Sequence, residues 1–126
     1  MEKRIYYHDT DAGGVVYYGN YLKYLEESRT EHLETKGLSV QNFRDRGLLY
    51  AVRQCSITYR SPARYGDTLI CEAEITKVTA AQIFFDQKIF NKEDRRLIVE
   101  AQVTLACLSP DFRPVQIPED LKAALM

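Results

Sequence analysis

Hydrophobic side chains recur with two different periods along this chain, and the change of period divides it into a helical part and a strand-rich part. From about residue 19 to 36, apolar and small side chains recur at spacings of three and four, which predicts one long amphipathic helix. Gly37 is a suitable C-terminal stop for that helix. The stripe expected to face the core is formed by Tyr18, Tyr21, Leu22, Leu25, Ser28, Arg29 and Leu33.

Three shorter elements are predicted before and after the long helix in the sequence. Residues 3 to 7 are rich in β-formers and predict a short first strand. A second helix is expected from Val40 to Asp45, because Ser39 is a good N-terminal cap and Gly47 a good stop. The last residues, 119 to 126, predict a surface helical turn after two prolines.

From Leu48 onward the period changes to two and stays so for about 60 residues, which predicts a sheet whose strands each have one apolar face. Turn-forming residues at 62–67, 79–81 and 91–94 separate the strands, and such short connections favour antiparallel neighbours. The apolar rows are Cys55, Ile57 and Tyr59; Leu69, Cys71, Ala73 and Ile75; Ile83, Phe85 and Ile89; and Leu97, Val99, Ala101, Val103, Leu105 and Cys107.

One long helix and five strands with a single apolar face predict a two-layer α+β fold in which the sheet curls around the helix. No repeat, linker or low-complexity stretch interrupts the pattern, so residues 1–126 are expected to form a single domain.

The composition and charge of the chain argue against several classes of function. The 17 basic residues are scattered rather than clustered and the net charge is −1, which argues against nucleic acid as a partner. No stretch approaches the roughly 20 apolar residues of a membrane span, and the N-terminus lacks a signal-type apolar core, so a cytoplasmic location is expected. The three cysteines, Cys55, Cys71 and Cys107, are isolated, which argues against disulfides and zinc and predicts buried, reduced thiols.

Candidate chemistry is concentrated between residues 9 and 21, where two carboxylates and a glycine turn directly precede the long helix. The sequence there is Asp-Thr-Asp-Ala-Gly-Gly-Val-Val-Tyr-Tyr-Gly-Asn-Tyr. Gly13 and Gly14 allow positive φ or a close approach of the backbone to a ligand. The first turn of a helix offers unpaired N–H groups to an anionic oxygen. A carboxylate beside such an oxyanion site suggests acyl chemistry.

These residues carry a family resemblance. The pieces Arg4-Ile5, Thr10-Asp11, Gly14-Val15-Val16 and Asn20-Tyr21, followed by the run from Tyr21 to Glu31, resemble the 4-hydroxybenzoyl-CoA thioesterase family and within it the YbgC-type acyl-CoA thioesterases. The resemblance implies a hotdog fold, a five-stranded antiparallel sheet wrapped around a central helix. It also implies hydrolysis of acyl-coenzyme A without metal or organic cofactor, in a homodimer or homotetramer whose sites lie at subunit interfaces.

The resemblance further assigns roles by position. Asp11 is the catalytic carboxylate, either a nucleophile toward the thioester carbonyl or a general base for water, and the sequence does not choose between them. The backbone N–H of Tyr18 is the oxyanion donor. Many YbgC-type proteins carry histidine at this position, whereas the parent enzymes carry tyrosine. Substrate contacts are expected from Gly14, Val15, Val16, Tyr17 and Tyr21. Coenzyme A also carries phosphates, and the basic residues that are candidates to meet them are Arg60, Arg64, Lys88, Arg95 and Arg96.

Other polar residues compete for these roles. Asp9 is interpreted as a structural acceptor of backbone N–H groups, His8 as a surface residue and His32 as a structural one. Glu26 and Glu27 could act as bases, although solvated helix charge is the more common role of such residues. The alternative function is a non-catalytic protein that binds acyl-CoA or acyl carrier protein. A hydratase is disfavoured because the expected histidine motifs are absent.

Overall fold

The computed structural model describes all 126 residues as three α-helices packed with one five-stranded sheet. A single 3₁₀ turn, Tyr7–Asp9, follows the first strand. In chain order the elements are β1 Glu2–Arg4, α1 Asn20–Thr35, α2 Val40–Asp45, β2 Leu49–Tyr59, β3 Thr68–Val78, β4 Gln82–Asn91, β5 Leu97–Leu108 and α3 Glu119–Leu125.

All strand pairs are antiparallel, and the order across the sheet is β1-β3-β4-β5-β2. The three strands β3, β4 and β5 follow one another through short turns, as the period and the turn residues predicted. β2 instead pairs with β5, which places an 11-residue strand at the edge of the sheet.

The core lies between α1 and the concave face of the sheet. Tyr24 and Leu25 on the helix are each only 1% exposed, and so is Phe85 at the centre of β4. The ring of His32 stands edge-on to Phe85 at 6.3 Å, which gives this histidine the structural place expected for it. The predicted two-layer α+β architecture is therefore confirmed.

Local capping explains why the predicted helices form where they do. α1 lies within one residue of its predicted ends, and Gly37 follows it with the left-handed φ of 76° that a helix stop requires. α2 matches the predicted range. The Ser39 hydroxyl accepts the Asn42 N–H at 3.1 Å, and the Asn42 side chain accepts the Ser39 N–H at 2.7 Å.

The predicted first strand is too long. It ends at Arg4 rather than at residue 7, because the following backbone turns back on itself. The Asp9 N–H donates to the Tyr6 carbonyl at 3.0 Å, and the Tyr6 N–H donates to the Asp9 carboxylate at 2.9 Å. This local pairing satisfies backbone groups that a longer strand would have used in the sheet.

The burial of side chains on β2 and at the start of α1 differs from what the hydrophobic pattern predicts. Cys55 and Tyr59 on β2 were expected on a dry face but are exposed, and the prediction of three buried thiols is therefore wrong for Cys55. Leu22 and Tyr18 of the expected helix stripe are 51% and 63% exposed. All four side chains lie where the single chain provides no covering layer.

None of the three helices has the length and apolar character of a membrane-spanning segment.

The two remaining cysteines give a direct test of the core. Cys71 is 1% exposed and Cys107 is fully buried. Burial raises the pKa of the Cys71 thiol to about 12, and it also raises the pKa of the Cys107 thiol. Because the thiolate is the reactive species, we expect neither to be alkylated by iodoacetamide at pH 8 in the folded protein. Peptide mass spectrometry before and after unfolding checks this, and labelling of Cys71 without denaturant would contradict the packing described here.

Candidate active site

The segment from Asp9 to Tyr17 forms a tight, ordered loop before α1. Thr10 and Val16 form an antiparallel bridge across its base, and the Asp11 N–H donates to the Val15 carbonyl at 2.9 Å. The Gly14 N–H closes the tip by donating to the Asp11 carbonyl at 3.0 Å. Gly14 has a φ of 80°, which explains why glycine stands there.

Asp11 projects from the tip of this loop and is exposed to solvent. Its Oδ1 accepts the Gly13 N–H at 2.8 Å, an Asx turn that fixes the orientation of the carboxylate. A Cβ at position 13 would lie 3.2 Å from Oδ1, so glycine keeps this approach open. Oδ1 is thus held by one backbone group, while the carboxylate remains accessible to a substrate.

Asp9, in contrast, is built into the base of the loop. The residue is 7% exposed and its side chain accepts the Tyr6 N–H, which confirms the structural interpretation. Its carbonyl accepts both the Tyr17 N–H at 3.0 Å and the Asn20 side-chain amide at 2.9 Å. His8, which is exposed, lies 3.8 Å from the Asp9 carboxylate.

Asn20 was part of the recognised motif, but its contact was not expected from the sequence. Through its hydrogen bond to Asp9, Asn20 connects the first residue of α1 to the base of the Asp11 loop. The only sequence signal was a side-chain amide at a helix start, a residue type that often bonds to nearby backbone.

The start of α1 supplies backbone donors. The N–H groups of Tyr18 and Gly19 donate to no other backbone group, whereas their carbonyls accept from Tyr21 and Leu22, both at 3.3 Å. Unpaired N–H groups at a helix start carry the positive end of the helix dipole. These two amides can therefore receive an anionic oxygen.

Three tyrosines surround this helix start. The Tyr18 ring lies 4.9 Å from the Tyr17 ring and stands perpendicular to the Tyr59 ring at 6.2 Å. The Tyr59 hydroxyl donates to the Tyr18 carbonyl at 3.4 Å, a contact between residues 41 apart that the sequence could not indicate. Tyr59 therefore joins the edge strand β2 to the candidate site.

The other residues expected to contact the substrate differ widely in their exposure. Tyr17 is 48% exposed beside Tyr18, but Val16 and Tyr21 are 4% and 3% exposed. The Tyr21 hydroxyl accepts the Ala63 N–H at 3.3 Å, and burial raises the pKa of this phenol. Val15 is half-buried and forms an isolated bridge with Arg64. Gly14 is exposed at the loop tip.

Arg60 and the helix carboxylates are engaged elsewhere. The Arg60 guanidinium pairs with Glu100 at 2.8 Å, on the sheet rather than at the loop. Glu27 lies 3.7 Å from Lys3, and Glu26 accepts the Thr30 hydroxyl at 3.0 Å. Burial lowers the pKa of His32, which suits a structural ring and not a cationic one. None of these contacts brings a second candidate base to Asp11.

A five-stranded antiparallel sheet wrapped around one long helix, with a carboxylate loop leading into that helix, defines a hotdog-fold protein. The family model described as the thioesterase superfamily matches residues 13–98. The acyl-CoA thioester hydrolase YbgC of Escherichia coli O157:H7 is 37% identical over 121 residues, which are 95% of this chain and 90% of that protein. The acyl-CoA thioesterase YbgC of Haemophilus influenzae is also 37% identical, over 96% of this chain and 89% of that protein.

A solved structure agrees with these sequence relatives. The crystal structure of a 1,4-dihydroxy-2-naphthoyl-CoA thioesterase from Synechocystis superimposes with a TM-score of 0.89 at 29% identity. The match covers 99% of this chain and 93% of that chain. The chain belongs to the thioesterase superfamily, and the resemblance found in its sequence is confirmed.

Proposed function

We propose that this chain hydrolyses the thioester of acyl-coenzyme A to a free acid and coenzyme A. The observation that carries the proposal is one of geometry: a fixed, accessible carboxylate, Asp11, sits on the loop that leads directly into the free N–H groups of Tyr18 and Gly19. The YbgC relatives, whose names state this activity, support the substrate class.

Two routes fit an accessible aspartate. In the first, a carboxylate oxygen of Asp11 attacks the thioester carbonyl, the carbon–sulfur bond breaks, coenzyme A leaves as the thiolate, and water then cleaves the mixed anhydride. In the second, Asp11 takes a proton from a water molecule as that water attacks the same carbon. The carbon–sulfur bond then breaks, and the departing thiolate takes up the proton that Asp11 received. Both routes end in the same acid and thiol and need no metal or organic cofactor.

The developing oxyanion is the charge that the helix start would stabilise. A backbone N–H fixed toward an oxyanion contributes about 3 kcal/mol to lowering the barrier. Because the Tyr18 N–H is already unpaired, it would lose no internal hydrogen bond when it binds the oxygen. Gly14 and the exposed ring of Tyr17 would border the acyl thioester. Val15, Val16 and Tyr21 support the loop and helix from behind, and Arg60 would meet a coenzyme A phosphate only by exchanging Glu100 for it.

The enzyme is expected to work as a homodimer or homotetramer with each site completed across a subunit interface. Support comes from the exposed edge strand β2 and from apolar side chains that a single chain leaves uncovered, Tyr18, Leu22, Val52 and Tyr59. Long unprotected edge strands are rare in monomers because they invite pairing with another chain. Residues 1–126 would form one domain of this assembly, and the enzyme would act in the cytoplasm.

The test is coenzyme A release by purified protein across short-chain, long-chain and aromatic acyl-CoA thioesters. Turnover on any of them supports the proposal and ranks the substrates. Saturable binding of acyl-CoA or acyl carrier protein without turnover would instead favour the non-catalytic binding function, for which the open site alone would suffice.

The role of Tyr18 gives a separate prediction. If the backbone amide and not the phenol is the oxyanion donor, Tyr18→Phe should keep kcat/KM within about a factor of three of the wild type. The hydroxyl is absent from the proposed step, and the ring contacts to Tyr17 and Tyr59 are retained. Steady-state kinetics on the best substrate measures this. A loss of about a hundredfold or more would show that the hydroxyl takes part in proton transfer.

A further inference from the structure

Two donors from different parts of the site converge on the carbonyl oxygen of Asp9. The Tyr17 N–H, at the end of the Asp11 loop, donates to it at 3.0 Å. The side-chain amide of Asn20, the first residue of α1, donates to it at 2.9 Å. A carbonyl oxygen has two lone pairs, so these two bonds use its full capacity. The base of the loop and the start of the helix are therefore held at one atom.

Asp9 and Asn20 flank the two groups that the proposed hydrolysis requires. Asp9 precedes the Asp11 carboxylate by two residues. Asn20 directly follows Tyr18 and Gly19, whose unpaired N–H groups are the proposed oxyanion donors. A shift of the helix start relative to the loop would change the distance between the carboxylate and these donors. The Asn20 side chain opposes such a shift, because its hydrogen bond joins the two parts directly.

The direction of this hydrogen bond distinguishes Asn20 from a helix cap. A capping side chain accepts an N–H of its own helix, and α1 has no such side-chain cap at Gly19. Asn20 instead donates away from the helix, to the loop. At the start of α2, in contrast, the Asn42 side chain accepts the Ser39 N–H at 2.7 Å as part of a capping box. Asparagine is also a weak helix former, so the contact with the loop is the role that favours it at position 20.

We propose that Asn20 is a positioning residue for the thioester hydrolysis: its side-chain amide keeps the Tyr18 and Gly19 N–H groups aligned with the Asp11 carboxylate. The inference rests on the proposed function. Both routes need the thioester carbon within reach of the carboxylate or its water, and the thioester oxygen within reach of the helix start. A displacement of about 1 Å between such groups can lower the rate by up to about a hundredfold although neither element unfolds.

The first arm of the test compares Asn20→Leu with the wild type in steady-state hydrolysis of the best acyl-CoA substrate. Leucine has a similar size and a higher helix propensity but no donor. We expect kcat to fall about tenfold while KM stays within about a factor of three, because the displaced groups act on the transition state rather than on substrate binding. An unchanged kcat, or a loss confined to KM, would overturn the proposal.

The second arm separates the lost donor from the shape of leucine. Asn20→Ala also removes the amide but places no bulk against the Asp9 carbonyl, so its kcat should fall in the same way. It also keeps the test available if leucine prevents folding. A wild-type kcat in Asn20→Ala would show that the bulk of leucine, and not the missing donor, lowers the rate, and it would overturn the proposal.

Asn42→Ala is the matched control for stability. Asn42 is exposed at the start of α2, and its replacement removes the side-chain bonds of the capping box. Loss of a helix cap should lower the melting temperature by a few degrees, with kcat and KM unchanged. If Asn42→Ala lost as much kcat as Asn20→Leu, the effect would follow from stability, and Asn20 would have no positioning role.

The last arm examines the loop without turnover, by amide hydrogen exchange followed by NMR. The Tyr17 N–H shares the Asp9 carbonyl with the Asn20 side chain. Loss of that side chain should open the base of the loop more often and raise the exchange rate of the Tyr17 N–H about tenfold in Asn20→Leu, but not in Asn42→Ala. An unchanged exchange rate in Asn20→Leu would overturn the proposal.

Failure of the hydrolase and failure of the positioning role give different results. A wild type without turnover on any thioester would contradict the proposed hydrolysis, and with it the catalytic purpose of the Asn20 contact. Turnover by the wild type that Asn20→Leu retains in full would contradict the positioning role alone.

Discussion

Asp11→Asn is expected to lower kcat for acyl-CoA hydrolysis by at least about a hundredfold, the lower end of what a positioned general base contributes, and by more if Asp11 is the nucleophile. Asparagine has nearly the same shape and can still accept the Gly13 N–H that orients the side chain. It is neither a base nor an oxygen nucleophile at neutral pH. Coenzyme A release by wild-type and variant protein at the same oligomeric state measures the effect.

The control for this variant is the neighbouring aspartate. Asp9→Asn changes a buried carboxylate that accepts the Tyr6 N–H and should lower the melting temperature more than Asp11→Asn does. Asp11 is exposed, so its replacement should leave the melting temperature almost unchanged. Turnover that survives in Asp11→Asn at near wild-type rates would contradict the assignment of Asp11 as the catalytic carboxylate.

The two routes open to Asp11 can also be separated. In a single turnover in ¹⁸O-labelled water, a general-base mechanism places the label only in the released acid. A mixed anhydride can instead be cleaved at the Asp11 carbonyl, which places ¹⁸O in the aspartate itself. Label in the peptide that contains Asp11 after one turnover, read by mass spectrometry, therefore identifies Asp11 as the nucleophile, whereas label only in the acid is expected from a general base and from an anhydride opened at the acyl carbonyl.

Local features were predictable where adjacent residues determine the structure. The α2 range followed from the cap at Ser39 and the stop at Gly47, and the Gly13-Gly14 turn of the Asp11 loop followed from glycine next to aspartate. The first strand was overestimated because the return of the Asp9 carboxylate to the Tyr6 N–H competes with the sheet. A β-rich run does not reveal this competition.

Contacts between distant residues could not be predicted in this way. Tyr59 reaches the Tyr18 carbonyl only because β2 pairs with β5 at the sheet edge next to the helix start, and Arg29 meets Gln87 across 58 residues. The periodic pattern placed Arg29 on the inner stripe of the helix. It could not indicate that a cavity would remain beside the guanidinium.

The remaining wrong predictions all overestimate how deeply a side chain is buried. Leu22, Tyr59 and Cys55 were predicted to be buried, and in the single chain they are exposed. The same pattern was correct for the rest of the predicted stripe on α1, and for the apolar rows of β4 and β5 apart from the half-buried Leu97. We infer that the pattern describes the assembled protein, in which a second copy covers this side of α1 and β2.

Leu22→Glu tests that inference and should have the second largest effect on activity. Leu22 follows Tyr18 by four residues, so both lie on the same face of the helix start. A carboxylate buried there without a partner costs several kcal/mol, and a loss of about 4 kcal/mol raises the dissociation constant of the oligomer about a thousandfold. Sedimentation at micromolar concentration should then show monomers, with hydrolysis lost alongside the interface.

The fold of the monomer should survive this change, so that loss of assembly is not confused with unfolding. Leu22 is 51% exposed, glutamate is a good helix former, and a negative charge near the start of α1 favours the helix dipole. Lys23→Glu is the matched control: it changes the charge at the adjacent exposed position by two units and should leave both assembly and activity intact. If Leu22→Glu remained oligomeric and active, the partner would have to cover a different surface, and the edge of β2 alone would be the next candidate.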